Sequence, residues 1–257
     1  MRKIDLNLEI ERITAYIQTL LLPTGLKKLI IGLSGGIDSA LSAALAVKAV
    51  GKENVIAVML PYKDSSDDSY NDALTVAEWL DIKHYKVDIT PMVDAYFSTN
   101  EQDANSLRRG NFMARMRMIV LYDFSAKYGG LVVGTGNLSE VLTGYFTQYG
   151  DNACAFEPLG HLYKTEVWEM SRILGIPEVV IDKCPTADLW SDQTDEQEMG
   201  ICYQNLDEVL YQMFELKLTK AEMLANNITA EEIKLVEKLY RKSAFKRVMP
   251  PMLEELD

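Results

Sequence analysis

The segment from Leu33 to Ser39 has residue types and spacing that suit phosphate binding. It reads Leu-Ser-Gly-Gly-Ile-Asp-Ser and joins a β-branched run, Lys28 to Leu33, to an alanine-rich run, Asp38 to Val50. Small residues where a helix begins let backbone N–H groups turn toward an anion. The segment lacks the Gly-Lys-Ser/Thr of a Walker A loop and the spacing of the dinucleotide fingerprint. The sequence therefore predicts a phosphate-binding loop of a different class.

Two carboxylates and one lysine could complete a phosphate site. Asp38 lies in the glycine-rich segment, Glu140 follows the turn Gly134-Thr135-Gly136, and Lys164 begins a predicted helix. Mg²⁺ prefers oxygen ligands such as carboxylates, and a lysine at a helix start can contact a phosphate. If Glu140 faces Asp38 across a sheet edge, the pair could hold Mg²⁺ beside bound phosphates.

Alternating strand and helix patterns must position these groups. Apolar runs predict strands at Lys28 to Leu33, Asn54 to Leu60, Lys83 to Val87 and Leu131 to Val133. Helical spacing, caps and capping boxes predict helices over Ile10 to Leu20, Asp38 to Val50, about Ser69 to Leu80, from Thr90-Pro91 with Asp94 in its first turn, Ser106 to Tyr128, Lys164 to Leu174, and from Thr219 and Thr229. This order predicts an α/β fold, an open, doubly wound parallel sheet with extra C-terminal helices. We expect one domain, with a core over about 26–190 and a helical portion over about 200–257.

Composition restricts the classes of protein to which the chain can belong. The 257 residues are 48% hydrophobic, enough to bury a core without disulfides. The formal charge of −12 argues against nucleic acid and anionic membranes as partners. The three cysteines, Cys154, Cys184 and Cys202, form no CxxC pair. A charged N-terminus and the lack of a long apolar stretch favour a cytoplasmic protein.

The glycine-rich segment resembles the SGGxDS loop of the ATP pyrophosphatase superfamily, also called the adenine nucleotide alpha-hydrolase type. In that superfamily the loop grips the β- and γ-phosphates while ATP is cleaved between its α- and β-phosphates. The resemblance implies a Rossmann-like sheet with ATP as a substrate. It implies ATP contacts at Gly32, Leu33, Ser34, Gly35, Gly36, Ile37, Asp38 and Ser39.

Five further segments resemble ammonia-dependent NAD synthetases. They read NFMARMRM from Asn111, GTGNLSEVLTGYFTQY from Gly134, LYKT from Leu162, CPTADL from Cys184 and FKR from Phe245. The resemblance implies amidation of deamido-NAD to NAD by ammonia, through an acyl adenylate, with release of AMP and pyrophosphate. It also implies Mg²⁺ and a homodimer, with the opening helix and the Met113 to Met118 helix as possible contacts.

The resemblance also assigns residues to roles. Asp38 and Glu140 correspond to the metal ligands and, with Lys164, to the catalytic groups. Thr135, Lys164 and Thr186 correspond to ATP contacts, and Arg115 and Lys246 to deamido-NAD contacts. Arg117 is two residues from Arg115, so only one of them can face a given ligand, and Arg117 is either structural or a weaker ATP contact. The family pattern is broken at Gln148, Ala155 and Phe245, where relatives carry lysine, aspartate and histidine.

Two other functions remain open from the residues alone. Another ATP pyrophosphatase, such as a GMP-synthetase-like or tRNA-modifying enzyme, would share the loop, although the negative charge disfavours tRNA. A regulatory module that binds ATP without turnover would not need Glu140, Lys164 and Thr186. The acidic segment Asp188 to Glu198 has little apolar content and is expected to be mobile. The family resemblance implies that it is a loop that closes over bound nucleotide.

Overall fold

A central parallel sheet organises the chain. The structure is a computed structural model that describes residues 2–100, 103–186 and 194–252. Four strands, β1 (Lys28–Gly32), β2 (Val55–Met59), β3 (Lys83–Lys86) and β4 (Gly130–Val133), lie in the order β3-β2-β1-β4, and every neighbouring pair is parallel. A parallel sheet directs the carboxyl ends of its strands, and the loops that follow them, to one edge.

Helices connect the strands and continue to the C-terminus. They are α1 (Leu6–Leu21), α2 (Ile37–Val50), α3 (Asp67–Trp79), α4 (Thr90–Asn100), α5 (Ser106–Tyr128), α6 (Leu138–Thr143), α7 (Lys164–Leu174), α8 (Glu178–Ile181), α9 (Asp195–Met199), α10 (Tyr203–Leu210), α11 (Lys220–Ala225) and α12 (Ala230–Lys242). Short 3₁₀ turns lie at Leu22–Thr24, Lys52–Asn54 and Ala244–Arg247, and a π-helical turn at Tyr211–Glu215.

Apolar side chains cover both faces of the sheet because successive residues of a strand point to opposite sides. On β1, Leu29 and Ile31 join the cluster formed by α1, α2, α3 and α7, whereas Ile30 joins the cluster formed by α4 and α5. All three side chains are fully buried. Helices therefore pack on both faces, which confirms the predicted doubly wound α/β fold.

The C-terminal helices form a third apolar cluster. Most of its buried members come from α9 to α12 and include Leu206 and Val236, and it packs against Leu138 and Leu142 on α6 and Trp168 on α7. The helices that carry Glu140 and Lys164 therefore pack against this cluster, and α7 also packs against α1 and α2. Their position depends on both parts of the chain.

Most predicted helices and strands lie within two residues of the observed ones, and both predicted capping boxes are present. Asp94 was predicted to lie in the first turn of its helix, but α4 begins at Thr90 and has no acidic residue in its first turn. The Asp94 carboxylate accepts hydrogen bonds from Tyr62 Oη at 2.8 Å and Lys63 Nζ at 2.6 Å, while Asp88 accepts the backbone N–H of Thr90. Residues 187–193, most of the predicted mobile segment, lie outside the described residues. Within the described ranges, no helix is long and apolar enough to cross a membrane.

Candidate active site

The glycine-rich loop leaves β1 and enters α2 through a tight turn. Gly35 has a φ of +81°, and Gly36 is the N-cap of α2. Ser39 Oγ donates to the carbonyl of Gly36 at 2.9 Å, and its hydroxyl lies 3.2 Å from that of Ser34. These contacts fix the loop at the N-terminus of α2. Its backbone N–H groups and the helix dipole together suit an anion.

Three charged side chains and one amide meet at the carboxyl edge of the sheet. Lys164 Nζ forms an ion pair with Asp38 Oδ2 and lies 3.8 Å from Glu140 Oε1. Asn137 Nδ2 donates to Asp38 Oδ1 at 2.9 Å, and Asn137 Oδ1 accepts the backbone N–H of Glu140 at 3.0 Å. Asn137 therefore caps α6 and orients Asp38. The fold brings together the three residues that the sequence singled out as catalytic.

Burial and charge alter the proton affinities in this cluster. Desolvation, followed by the negative charge of Asp38, raises the pKa of Glu140 well above its usual value. Burial acts to lower the pKa of Lys164, but Asp38 and Glu140 outweigh it and raise that pKa above the ordinary lysine value. Lys164 is only 2% exposed. It is therefore a buried ammonium at neutral pH, already placed to stabilise negative charge that develops beside it.

Asp207, on α10, fixes the helix ends that carry these groups. Its carboxylate is fully buried, accepts the hydroxyl hydrogen of Ser139, and accepts the backbone N–H of Thr165 at 2.8 Å. The hydroxyl of Ser139 in turn accepts the backbone N–H of Lys164 at 3.0 Å. One carboxylate thus joins the N-termini of α6 and α7. Burial raises its pKa to about 6.

Replacing Asp207 by alanine should lower both stability and turnover. The backbone N–H of Thr165 would lose its acceptor, and a buried donor without a partner costs about 1–3 kcal/mol. We expect a melting temperature several degrees lower and a reduced kcat, measured by thermal unfolding and steady-state kinetics. Asp207→Asn keeps one acceptor oxygen and should lose less. An alanine variant with unchanged melting temperature would contradict this role.

A cleft of about 580 Å³ lies between the loop and the charged cluster. It is lined by all but one of the residues predicted to contact ATP: Gly32, Leu33, Ser34, Gly36, Ile37, Asp38, Ser39, Thr135, Lys164 and Thr186. Gly35 does not line it, because its α-carbon is packed against α3. Arg117 also lines this cleft, and its Nε donates to the carbonyl of Leu60 at 3.0 Å. The cleft has the volume and composition of a nucleotide site.

A second cavity, of about 370 Å³, shares Thr135, Glu140 and Lys246 with the cleft. Lys246, predicted to contact deamido-NAD, donates from Nζ to the carbonyls of Gly144 at 2.7 Å and Phe146 at 2.5 Å. Its ammonium is thus used to hold the segment that follows α6, and burial lowers its pKa. Any ligand contact at Lys246 shares the ammonium with these carbonyls.

Arg115 lines neither cavity. Its guanidinium is exposed and donates to the carbonyl of Gln148 at 3.1 Å. Gln148 Nε2 in turn lies 3.5 Å from the carbonyl of Phe245, so two of the positions that break the family pattern contact each other. The deamido-NAD roles of Arg115 and Lys246 stay predictions.

Sequence reasoning missed Glu157. It lines the smaller cavity, and burial raises its pKa to about 7. Phe156 pairs with Val133 beside β4, which brings Glu157 to the carboxyl edge of the sheet. The short run Ala155-Phe156-Glu157 was the only signal, and three residues are too few to predict a strand.

We expect no cysteine chemistry at this site, although Cys184 lines the larger cleft. All three cysteines are free, and burial raises the pKa of Cys154, which lies 3.8 Å from a Glu157 oxygen, to about 12. Its thiol is therefore protonated and a poor nucleophile at neutral pH.

A variant with Cys154→Ala, Cys184→Ser and Cys202→Ser should keep kcat within about two-fold of the parent, because no activated thiolate is lost. Steady-state kinetics test this. A folded variant that has lost most of its activity would assign a chemical role to a cysteine.

The fold and the site together define an α/β nucleotide-binding protein of the adenine nucleotide alpha-hydrolase type. The family model described as NAD synthase matches residues 9–250. The chain belongs to the NAD synthase family.

Two curated relatives match this chain over almost their whole length. The NH(3)-dependent NAD(+) synthetase of Fusobacterium nucleatum is 48% identical over 252 residues, 97% of each chain. The NH(3)-dependent NAD(+) synthetase of Thermococcus kodakarensis is 44% identical over 251 residues, 97% of this chain and 98% of the relative. These matches confirm the resemblance that the sequence motifs indicated.

Two solved structures have the same fold over 98% of this chain and 100% of their own. The NH3-dependent NAD synthetase of Campylobacter jejuni, solved in complex with the nitrate ion, has a TM-score of 0.84 and 34% identity. A protein from Francisella tularensis described as an NMN synthetase has a TM-score of 0.88 and 32% identity.

Proposed function

We propose that this chain is an ammonia-dependent NAD synthetase. It uses ATP to amidate deamido-NAD to NAD, the last step of NAD biosynthesis, and releases AMP and pyrophosphate. The observation that carries this proposal is the placement of Lys164, Asp38 and Glu140 beside the glycine-rich loop. Full-length similarity to NH(3)-dependent NAD(+) synthetases supports the choice of substrate.

The chemistry requires an activated acid. A carboxylate has no good leaving group at neutral pH, so an oxygen of the nicotinate carboxylate first attacks the α-phosphorus of ATP, and the bond to the β-phosphate breaks. Ammonia then attacks the carboxyl carbon, AMP leaves with the electron pair of the broken C–O bond, and the nitrogen releases one proton to solvent. Positioning and electrostatic stabilisation suffice for both steps, and no covalent enzyme intermediate is needed.

Each group of the cleft has a place in this scheme. The backbone N–H groups of Ser34 to Gly36 hold the departing diphosphate at the N-terminus of α2, and Lys164 neutralises charge that moves onto it. Thr135, which lines both cavities, lies where ATP and the second substrate would meet. The larger cleft would hold ATP and the smaller cavity part of deamido-NAD.

The donor set fits Mg²⁺. Asp38 and Glu140 are two carboxylates that lie near one ammonium. Burial, followed by repulsion from Asp38, raises the pKa of Glu140, and a cation would relieve that repulsion. Mg²⁺ typically binds one or two protein carboxylates and the phosphates of a nucleotide. Asp38 and Glu140 would hold the ion, which when bound supplies positive charge to the phosphates of ATP.

A substrate-exchange assay tests the proposal. Purified protein receives ATP, Mg²⁺ and an ammonium salt with deamido-NAD, nicotinate mononucleotide or XMP, and products are separated by chromatography. We expect NAD, AMP and pyrophosphate in equal amounts with deamido-NAD. Preferential amidation of nicotinate mononucleotide would favour the activity named for the Francisella protein, and XMP dependence would favour a GMP-synthetase-like enzyme. Binding of ATP without AMP release would favour a regulatory module.

We also propose that the protein is a cytoplasmic homodimer. Helices α1 and α5 expose large apolar side chains, Leu8 and Tyr16 on α1 and Ile119 and Tyr122 on α5. Such residues are suited to an interface. Free thiols fit a reducing compartment. Light scattering after size-exclusion chromatography should give twice the chain mass of 29.0 kDa, and a monomer would contradict the dimer alone.

A further inference from the structure

Within the described residues, Asp195, the first residue of α9, has a buried carboxylate oxygen without a hydrogen-bond partner. The residue is 5% exposed. Its Oδ2 accepts the hydroxyl hydrogen of Tyr203 at 3.1 Å, but no described residue donates to Oδ1. The hydroxyl of Tyr145, which also interacts with the Asp195 carboxylate, donates its hydrogen to Glu198 at 2.5 Å. A buried polar atom left unpaired costs free energy, so a missing ion or water is the usual explanation.

The position of Asp195 suggests what that partner is. Its side chain lines the larger cleft together with Asp38, Glu140 and Lys164. Its negative charge raises the pKa of both Glu140 and Lys164, so it lies within electrostatic reach of each. Lys164 Nζ also lies 5.2 Å from the ring centre of Tyr203, the residue that holds Asp195 Oδ2. Asp195 therefore belongs to the charged cluster.

The charged cluster contains more carboxyl groups than ammonium groups. In the described part of this cluster, the three carboxyl groups of Asp38, Glu140 and Asp195 lie around a single ammonium. Buried like charges repel strongly in a low-dielectric environment. A divalent cation in the cleft would remove this imbalance.

The geometry favours an indirect contact. Over residues 2–100, 103–186 and 194–252, no three His, Cys, Asp or Glu side chains converge closely enough to hold a metal ion directly. Mg²⁺ usually keeps several of its water molecules and takes only one or two protein carboxylates. Groups that bind such waters orient the ion and tune its affinity.

We propose that Asp195 is the third carboxylate of the magnesium site, accepting through Oδ1 a hydrogen bond from a water on the ion held by Asp38 and Glu140. This inference rests on the magnesium assignment of the proposed function. It gives α9 a role in metal binding. It also accounts for a buried oxygen to which no described residue donates a hydrogen bond.

Metal affinity tests the proposal directly. Binding of Mn²⁺, used in place of Mg²⁺, is measured by electron paramagnetic resonance with α,β-methylene-ATP and the full chain. Asp195→Asn should weaken Mn²⁺ binding about 10- to 100-fold, the range found for groups that contact metal-bound ligands. Glu169→Gln is the matched control, because it removes an exposed charge from α7, lines neither cavity, and should change the affinity by no more than about two-fold. An Asp195→Asn variant that binds Mn²⁺ as tightly as the parent overturns the proposal.

Thermal unfolding without metal separates this role from a structural one. If Oδ1 accepts a hydrogen bond only from a metal-bound water, Asp195→Asn removes a buried charge that has no partner without the metal. The melting temperature without metal should then stay equal or rise. The increase in melting temperature caused by Mn²⁺ and the analogue should shrink. A lower melting temperature with unchanged Mn²⁺ affinity would instead make Asp195 a structural residue. If the asparagine variant does not fold, Asp195→Ser takes its place.

The same preparations distinguish failure of this inference from failure of the proposed function. Parent protein that makes NAD, beside an Asp195→Asn variant with unchanged Mn²⁺ affinity, disproves only the role of Asp195. Parent protein that makes no NAD from deamido-NAD disproves the function, and the magnesium assignment with it.

Discussion

Replacing Asp38 by asparagine should lower kcat for NAD formation by about 10²- to 10³-fold, the effect found when one preorganised electrostatic group is removed from an active site. Asparagine keeps the shape of the side chain but loses the charge that pairs with Lys164 and that would bind the metal. Asn137 can still contact this position, so the loop should keep its conformation. Steady-state kinetics over a range of Mg²⁺ concentrations give the result, and circular dichroism checks the fold.

Asp94→Asn is the matched control for this substitution. Asp94 also pairs with a lysine, Lys63 at 2.6 Å, but that lysine is exposed and the pair lies outside the lining of both cavities. Exposed ion pairs contribute about 0–1 kcal/mol, so turnover should stay near that of the parent. Parent-like turnover of Asp38→Asn would remove Asp38 from the metal site and from catalysis.

Replacing Gly35 by alanine should abolish detectable ATP binding and lower the melting temperature. A β-carbon at this position would lie 2.2 Å from the backbone carbonyl oxygen of Ser69 and 3.1 Å from Asp72 Cβ. The positive φ of +81° adds strain of about 1–3 kcal/mol for a residue with a side chain. A backbone carbonyl cannot move aside as the end of a flexible side chain can. Either the loop or α3 must therefore move. Calorimetric titration with ATP measures the loss.

Gly175→Ala separates the effect of the steric clash from the effect of the positive φ. Gly175 has a φ of +72°, and a β-carbon there would meet nothing within 4 Å. This variant should therefore show only the cost of the left-handed conformation, about 1–2 kcal/mol, and should bind ATP normally. If Gly35→Ala binds ATP as well as Gly175→Ala does, close packing of the loop on α3 is not required for nucleotide binding.

The sequence predicted the fold well because its signals are local. Strand β1 was expected at Lys28 to Leu33 and spans Lys28–Gly32, since a short β-branched run between breakers has few alternatives. The capping boxes of Thr219 and Thr229 are present as predicted, because a capping box involves only four consecutive residues. Local patterns do not require knowledge of tertiary packing.

The cluster of Asp38, Glu140 and Lys164 could also be anticipated, for a topological reason. Parallel strands deliver the loops that follow them to the same edge, so residues just after β1 and β4 must lie close together. Family motifs then supplied Lys164, which begins α7. The ion pair between Lys164 and Asp38 could not be read from the sequence, since it depends on how α7 packs.

The burial and the contacts of Asp195 and Asp207 could not be predicted from the sequence. Asp207 contacts Ser139 and Thr165, which are 68 and 42 residues away, and the contact exists only because α10 packs on α6 and α7. Acidic residues in a polar stretch usually lie on a solvated surface, so burial could not be inferred. The hydrogen bonds from Lys246 to two backbone carbonyls could not be predicted either, because they depend on the path of the chain after α6.

Isotope transfer tests the central claim, activation of the acid by adenylation, most directly. Deamido-NAD labelled with ¹⁸O in its nicotinate carboxylate is converted with unlabelled ATP, and the products are analysed by mass spectrometry. If the carboxylate attacks the α-phosphorus, each NAD formed should be accompanied by one AMP that carries a single ¹⁸O. Label in orthophosphate or pyrophosphate, with unlabelled AMP, would contradict the account.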